Sequence, residues 1–230
     1  MLQNMGLRNT PLLDAMIWSR GADTVFTLRG RQKAVADQVL ESAAKVLPDP
    51  ERPTLVPDEQ RVIFLVTGGA GTGKSAIGLQ IKAELEAQGR TVNYASGSRA
   101  FNGALQEHVR YGDRESFTYF SNFVKPPEPP LDVLICDEAH RLRDRSTNRF
   151  WKPEDWGTGP QVDELLAASR LTVFFMDEGQ SVRPNEVGTV QLIKEAAARH
   201  DARLVEVGFA SSSAVAAATP TPVGCAPCSV

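Results

Sequence analysis

The sequence has 230 residues, room for one large domain or about one and a half ordinary ones, which is short for a two-lobed motor. Apolar residues at 42% and charged residues at 23% are the balance of a chain that buries a proper core, which excludes wholesale disorder. Lys plus Arg number 25 against 28 for Asp plus Glu, a net charge of -3, so any grip on nucleic acid has to come from a local basic stripe rather than from bulk charge.

Residues 1–26 read as an N-terminal extension. Their apolar stretches are broken at Pro11 and Asp14 and no small-residue cleavage pattern follows, so export is not expected and a cytoplasmic setting is. Gln32 to Leu47 carries Val35, Val39, Ala43 and then Val46 or Leu47 at near-helical spacing, before Pro48 ends the pattern. Four prolines between Pro48 and Pro57 make that stretch a surface connection. Val62 to Val66 is a continuous run of β-formers bounded by Gly68 and Gly69, which predicts a strand buried on both faces, as in parallel sheets. It is far shorter than the roughly 20 apolar residues a membrane span needs, so no membrane segment is expected.

Lys74 to Gln88 places Ile77, Ile81 and Leu85 four apart, with Gly89 where a C-cap belongs. The pattern repeats with a strand over Thr91 to Ala95 and a helix over Arg99 to Val109, Ser98 serving as N-cap. A stiff block, Pro126-Pro127-Glu128-Pro129-Pro130, delivers the chain into a strand over Leu131 to Cys136. A helix over Val162 to Ser169, a strand over Leu171 to Met176, a helix over Thr189 to Arg199 and a strand over Arg203 to Val207 follow. The alternation predicts one doubly wound α/β domain over residues 27–207, its sheet mostly parallel with helices on both faces. Residues 208–230 are a small-residue tail predicted to be disordered. Of three cysteines, Cys136 lies in a strand while Cys225 and Cys228 fall in the last six residues, which draws no disulfide framework and suits a reducing compartment.

Gly68, Gly69, Ala70, Gly71, Thr72, Gly73, Lys74 and Ser75 satisfy G-x-x-x-x-G-K-[ST] in full, between a predicted strand and a predicted helix that continues with Ala76. Glycines are needed because successive backbone N–H groups must converge on phosphate oxygens. Lys74 adds a point charge toward the β and γ phosphates, Ser75 offers a hydroxyl to Mg²⁺, and the helix points its positive end at the anion. Asp137 and Glu138, followed by Ala139 and His140, emerge at the carboxyl end of the strand through Cys136, where ligands bind in open α/β sheets. Asp137 suits a Mg²⁺ ligand, and Glu138 suits a base that orients or deprotonates the attacking water. His140 is as readily a partner for a neighbouring backbone group. After the next strand comes Asp177-Glu178-Gly179-Gln180, where Gln180 reads equally as a γ-phosphate sensor touching the attacking water or as a solvent-facing turn residue.

Together these motifs resemble the first RecA-like lobe of superfamily-one helicases. Tyr94 to Phe101 (YASGSRAF), Pro160 to Leu165 (PQVDEL) and Gln180 to Gly188 (QSVRPNEVG) are similar to the bacterial Schlafen-like DNA/RNA helicase domain family, over roughly Thr27 to Val207. The resemblance implies ATP and Mg²⁺ as cofactors and DNA or RNA as the polymer partner. It implies that Gln32 reads the adenine and that the loop of Ser96, Ser98 and Arg99 touches the nucleic-acid backbone. From the residues alone, Gln32 reads equally as a polar residue opening a helix, and Arg99 as a counter-ion to a carboxylate. Trp151 and Trp156 lie in a loop where packing under the loop is favoured over stacking on a base.

Members of that family continue through a second RecA-like lobe, which the resemblance implies is absent here, so an arginine completing catalysis would come from a protein partner. A shifted reading of the codons for Ser211 to Thr221 can yield QFRCGGSDAY, similar to the motif opening that lobe, so a frameshift near Gly208 is an expectation that the coding DNA decides. The reading is therefore a P-loop ATPase lobe of a helicase-like motor, slow or inactive alone. Two alternatives stand beside it: a nucleotide-switched binding module without catalysis, and a P-loop phosphotransferase.

Overall fold

A strand that is apolar at every position has to be covered on both faces, and β1 (Val62–Thr67) divides its residues accordingly. Val62, Phe64 and Val66 join a core shared with helices α1 (Arg31–Val46), α2 (Lys74–Ala87) and α3 (Arg99–His108). Ile63 and Leu65 point the other way, into a second core with α4 (Gln161–Ala167) and α5 (Val190–Arg199). The same alternation runs through β2 (Val92–Ser96), β4 (Leu131–Asp137) and β5 (Ser169–Met176), which together with β3 (Phe117–Tyr119) and β6 (Arg203–Gly208) complete a six-stranded sheet. These elements come from a computed structural model that describes residues 28–48, 60–108, 111–147, 150–177, 179–180 and 183–209.

The strand order is β3-β2-β4-β5-β1-β6 and every pairing is parallel, an α/β doubly wound sheet with the RecA-like P-loop architecture expected from the sequence. Because β5 lies between β1 and β4, the segment leaving β5 is set between the glycine loop after β1 and the acids after β4. Register makes this close: Thr67 is level with Met176, Cys136 with Phe174, and Asp137 with Ser96. Among the described residues no helix is long and apolar enough to cross a membrane.

Most predicted elements differ from the observed ones by a residue or two at their ends. Two differences have a physical reason. The helix expected to run through Ser169 stops at Ala167, and Ser169 opens β5, where its buried hydroxyl is satisfied by the Leu171 carbonyl at 3.1 Å and by Thr172 Oγ1 at 2.9 Å. Strand β3 is missed because three residues are too few to show an alternating pattern. It forms by pairing Phe117 to Tyr119 with Tyr94 to Ser96. At the other edge β6 extends to Gly208, and the amide of Phe209 donates to the Thr67 carbonyl at 2.7 Å, so the sheet is joined two residues past the expected boundary. The expected extension, the proline-rich connection and the tail beyond Phe209 lie outside the described residues.

Candidate functional site

Three strand ends meet at the carboxyl edge of the sheet: β1 leads into the glycine loop, β4 ends on Asp137, and β5 leads into Asp177. The loop passes through left-handed backbone at Gly71 (φ 77°) and Gly73 (φ 87°). At Gly73 a side chain would also lack room, since a Cβ there would stand 2.5 Å from Nε2 of Gln32. That nitrogen donates to the Thr72 carbonyl at 2.9 Å, and Thr72 Oγ1 donates to the Gly69 carbonyl at 2.9 Å, so the loop is braced from within and from α1.

Helix α2 starts directly from Gly73, which supplies no capping side chain, and its first turn holds no acid. Its leading N–H groups and the positive end of its dipole are therefore left for an anion. Over the same loop Nζ of Lys74 rests 2.7 Å from the Gly68 carbonyl and 2.8 Å from the Gly69 carbonyl, with Asp177 Oδ2 at 3.8 Å. Free helix N–H groups, an ammonium and the Ser75 hydroxyl are the donor set a polyphosphate requires. A carboxylate beside Ser75 adds what a hard divalent cation requires. The residues thus fit a Mg²⁺-bound nucleotide.

That carboxylate belongs to Asp137, which is 2% exposed. Its Oδ2 accepts from Ser75 Oγ at 2.7 Å and from the Tyr94 hydroxyl at 2.7 Å, and its Oδ1 accepts the Glu138 amide at 2.9 Å. Burial raises the Asp137 carboxyl above its ordinary range, and the Ser75 and Tyr94 hydroxyls offset part of that. Burial, then the Asp137 charge, push the Tyr94 phenol well up, so it stays a donor. A carboxyl that titrates higher folded than unfolded holds its proton more tightly in the native state. Its contribution to stability is greatest below the unfolded value of about 3.9 and is lost as pH rises through the folded value. Asp137→Asn is therefore expected to stabilise the ligand-free chain at pH 7, with the gain vanishing in acid. The Asn amide can donate to either hydroxyl, which rotates to accept. Urea midpoints at the two pH values check this, and a destabilised variant at pH 7 contradicts it.

Glu138 follows in left-handed backbone (φ 58°), uncommon for a residue with a Cβ. Its Oε2 accepts from Arg141 Nε at 2.9 Å, and His140 Nε2 lies 3.2 Å from the same oxygen, although neither ring nitrogen of this buried histidine completes a hydrogen bond. His140, then the Arg141 guanidinium, hold the Glu138 carboxyl down at about 2, against the opposing effect of partial burial.

Asp177, 4% exposed, accepts the Gly179 amide on Oδ1 at 3.0 Å and the Gln180 side-chain amide on Oδ2 at 3.2 Å. Gln180 is exposed and its amide is turned onto this carboxylate, the counter-ion of Lys74. Ala70 and Gly71 are exposed at the loop tip, and Ala76 sits in the first turn of α2. In the loop after β2, Ser98 caps α3 by accepting the Phe101 amide at 3.3 Å, and Arg99 is exposed. Ser96 corrects the expectation: it is fully buried, and its hydroxyl accepts the Ser98 amide at 3.1 Å, so its side chain is not on a surface a polymer could touch. Trp156 is half-buried with its indole nitrogen enclosed, whereas Trp151 lines a groove with Ser121, Asn122, Val124, Lys125 and Asp155.

Sequence reasoning missed Tyr94, Asp177 and Arg141 as parts of the site. A tyrosine in an otherwise buried strand signals a hidden acceptor, and that signal was present. Nothing local pointed to Asp177 as the partner of Lys74, because that pair exists only through the insertion of β5 between β1 and β4.

The sequence model of the Schlafen group 3, DNA/RNA helicase domain matches residues 61–213, more than half of the chain. No curated protein matches it. Among solved structures, it is similar to AMPPCP-bound DnaA from Aquifex aeolicus at 16% identity and TM-score 0.39, covering 80% of this chain and 48% of that one. It is similar to a DNA replication initiation factor at 16% identity and TM-score 0.40, covering 79% and 47%. The Pif1 helicase from Candida albicans matches at 16% identity and TM-score 0.40, covering 80% and 40%. The chain thus spans about half the length, or less, of these structures.

Proposed function

The chain belongs to the Schlafen group 3 DNA/RNA helicase domain family, and on that footing we propose that it binds Mg-ATP at Gly68 to Ser75 and hydrolyses it slowly, as the nucleotide-handling lobe of a machine acting on DNA or RNA. One contact carries the reading. Ser75 Oγ donates to Asp137 Oδ2 at 2.7 Å across 62 residues of sequence, beside a lysine folded over an uncapped helix start.

The amides of Gly69 to Ala76 hold the phosphates, and Lys74 exchanges the Gly68 and Gly69 carbonyls for phosphate oxygens. Ser75 and Asp137 hold the metal. Mg²⁺, when bound, neutralises phosphate charge and fixes the orientation of the groups it bridges. Glu138 takes the proton of the attacking water, Gln180 orients that water, and Gln32 reads the adenine from the start of α1. Ser98 and Arg99 face the polymer. An arginine reaching the phosphates from another lobe or a partner protein is typically worth roughly 10³ to 10⁵ in rate, so binding with slow turnover is expected of the chain by itself.

Phosphate release measured with and without single-stranded DNA and single-stranded RNA tests this. Slow release without any acceptor, raised by one of the polymers, is the expected result. Transfer to an added small-molecule acceptor in place of water would make the protein a phosphotransferase. The clamped state of Glu138 favours one further reading, a nucleotide-switched binding module, which predicts nucleotide binding with no release under any condition.

A further inference from the structure

Arg141 stands where three parts of the chain meet. Its Nε donates to Glu138 Oε2 at 2.9 Å, and its Nη1 lies 3.9 Å from Glu186 Oε1. Its stem is pressed against the loop between β2 and α3: a Cβ on Gly97 would stand 2.6 Å from Cβ of Arg141 and 3.1 Å from its Cδ. The Gly97 amide donates to the Asp137 carbonyl at 3.3 Å, so this loop is tied to the end of β4, and two residues on it leads to exposed Arg99. The stem of Arg141 is thus packed against this loop, so a shift of the loop changes what holds the arginine in place.

Glu186 offers a second seat. Its side chain is 5% exposed. Oε2 accepts the Arg183 amide at 2.9 Å, and among the described residues the guanidinium groups of Arg141 and Arg183 stand 3.9 Å and 4.0 Å from Oε1. A carboxylate oxygen with a guanidinium just beyond hydrogen-bond distance attracts that group once it is free to approach. The Val187 amide donates to the Leu142 carbonyl at 2.7 Å, which keeps this segment beside the turn that carries Arg141. Arg141 thus has one carboxylate engaged and another within a short swing.

We propose that Arg141 is a two-position catch that links polynucleotide binding to Glu138. Seated on Glu138, it holds one carboxylate oxygen and with it the orientation of the side chain; when a single strand of DNA or RNA displaces Gly97 to Arg99, the guanidinium moves to Glu186 and frees Glu138 to turn toward the attacking water. The inference rests on the ATPase reading of the site. Arg141 is a positioning residue, acting through Glu138 and not on substrate. Because opening the catch exchanges an engaged contact at 2.9 Å for one that has yet to form, polymer binding works against it, and removing Arg141 relieves that cost and tightens the polymer.

The test uses the full chain and its Arg141→Ala, Arg141→Lys and Glu186→Gln variants. Anisotropy of labelled oligo(dT) and oligo(U) at fixed salt reads polymer affinity, and phosphate release is followed with and without each oligomer. For Arg141→Ala the expected result is about fivefold tighter polymer binding, release without polymer raised to near the stimulated rate, and a stimulation ratio near one. Arg141→Lys restores part of the dependence, and Glu186→Gln loses most of the stimulation because the second seat no longer carries charge. Weaker polymer binding by Arg141→Ala, which would make Arg141 a backbone contact, overturns the proposal. So does an unchanged stimulation ratio, or a wild-type chain that binds Mg-ATP and ignores both polymers. If Arg141→Ala does not fold, the Lys and Gln variants decide by the same criteria. A wild-type chain that gives no thermal shift with Mg-ATP sinks the nucleotide reading itself, a different outcome from any of these.

Discussion

Lys74→Ala is expected to abolish the stabilisation that Mg-ATP gives the wild-type chain. A ligand at a hundredfold over its dissociation constant that binds only the native state contributes about 2.7 kcal/mol. For a domain of this size that is a rise in melting temperature of roughly 5–11 °C. Most of that gain depends on the ammonium, since it is the full charge that the glycine loop itself supplies against a triphosphate. In the free protein Nζ rests on the Gly68 and Gly69 carbonyls, and Asp177 is 3.8 Å away. Removing it costs two hydrogen bonds at about 0.5–1.5 kcal/mol each, and among the described residues it leaves buried Asp177 with the Gly179 amide and the Gln180 side chain. The variant therefore melts somewhat lower without nucleotide and gains almost nothing with it. Thermal melts of both chains across a Mg-ATP titration separate the two effects. A shift of wild-type size in Lys74→Ala would show that the nucleotide is held elsewhere.

The parts of this site that could be read in the sequence are those fixed by local rules. Val62 to Val66 had to be a strand covered twice, the glycine spacing had to make a phosphate-sized turn, and a strand ending in Cys136 had to deliver Asp137 to the carboxyl edge. The parts that were not legible depend on strand order, which the chain does not spell out. Insertion of β5 between β1 and β4 brings Asp177 to Lys74 and turns Gln180 onto Asp177. The parallel pairing of β2 with β4 puts Tyr94 beside the end of β4 and buries Ser96, which the family resemblance placed on the polymer-facing loop. The Arg141 contact with Glu138 spans only three residues, yet it requires left-handed backbone at Glu138, which no propensity favours.

Glu138→Gln separates binding from chemistry more sharply than any other single change. Gln matches Glu in size and can hold the same left-handed backbone, so the Ser75 and Asp137 geometry, which Glu138 touches only through its main-chain amide, is expected to survive. The pair with Arg141 is partly exposed on both sides, at 26% each, and pairs of that kind contribute about 1 kcal/mol or less, while the loss of carboxylate charge beside buried His140 lowers the stability of the ligand-free variant further. Nucleotide-induced stabilisation is therefore expected at the wild-type level. Phosphate release is not, because a carboxamide has no basic oxygen for a proton, and loss of a positioned base typically lowers the rate by about 10² to 10⁴. The residual rate should also ignore DNA and RNA, since freeing residue 138 from Arg141 no longer exposes a base. Single-turnover release beside a thermal melt reads both quantities from one preparation. Retained release would move the base to another side chain at the edge, with Asp177 the nearest carboxylate to Lys74, and lost stabilisation would make Glu138 part of the pocket that holds nucleotide.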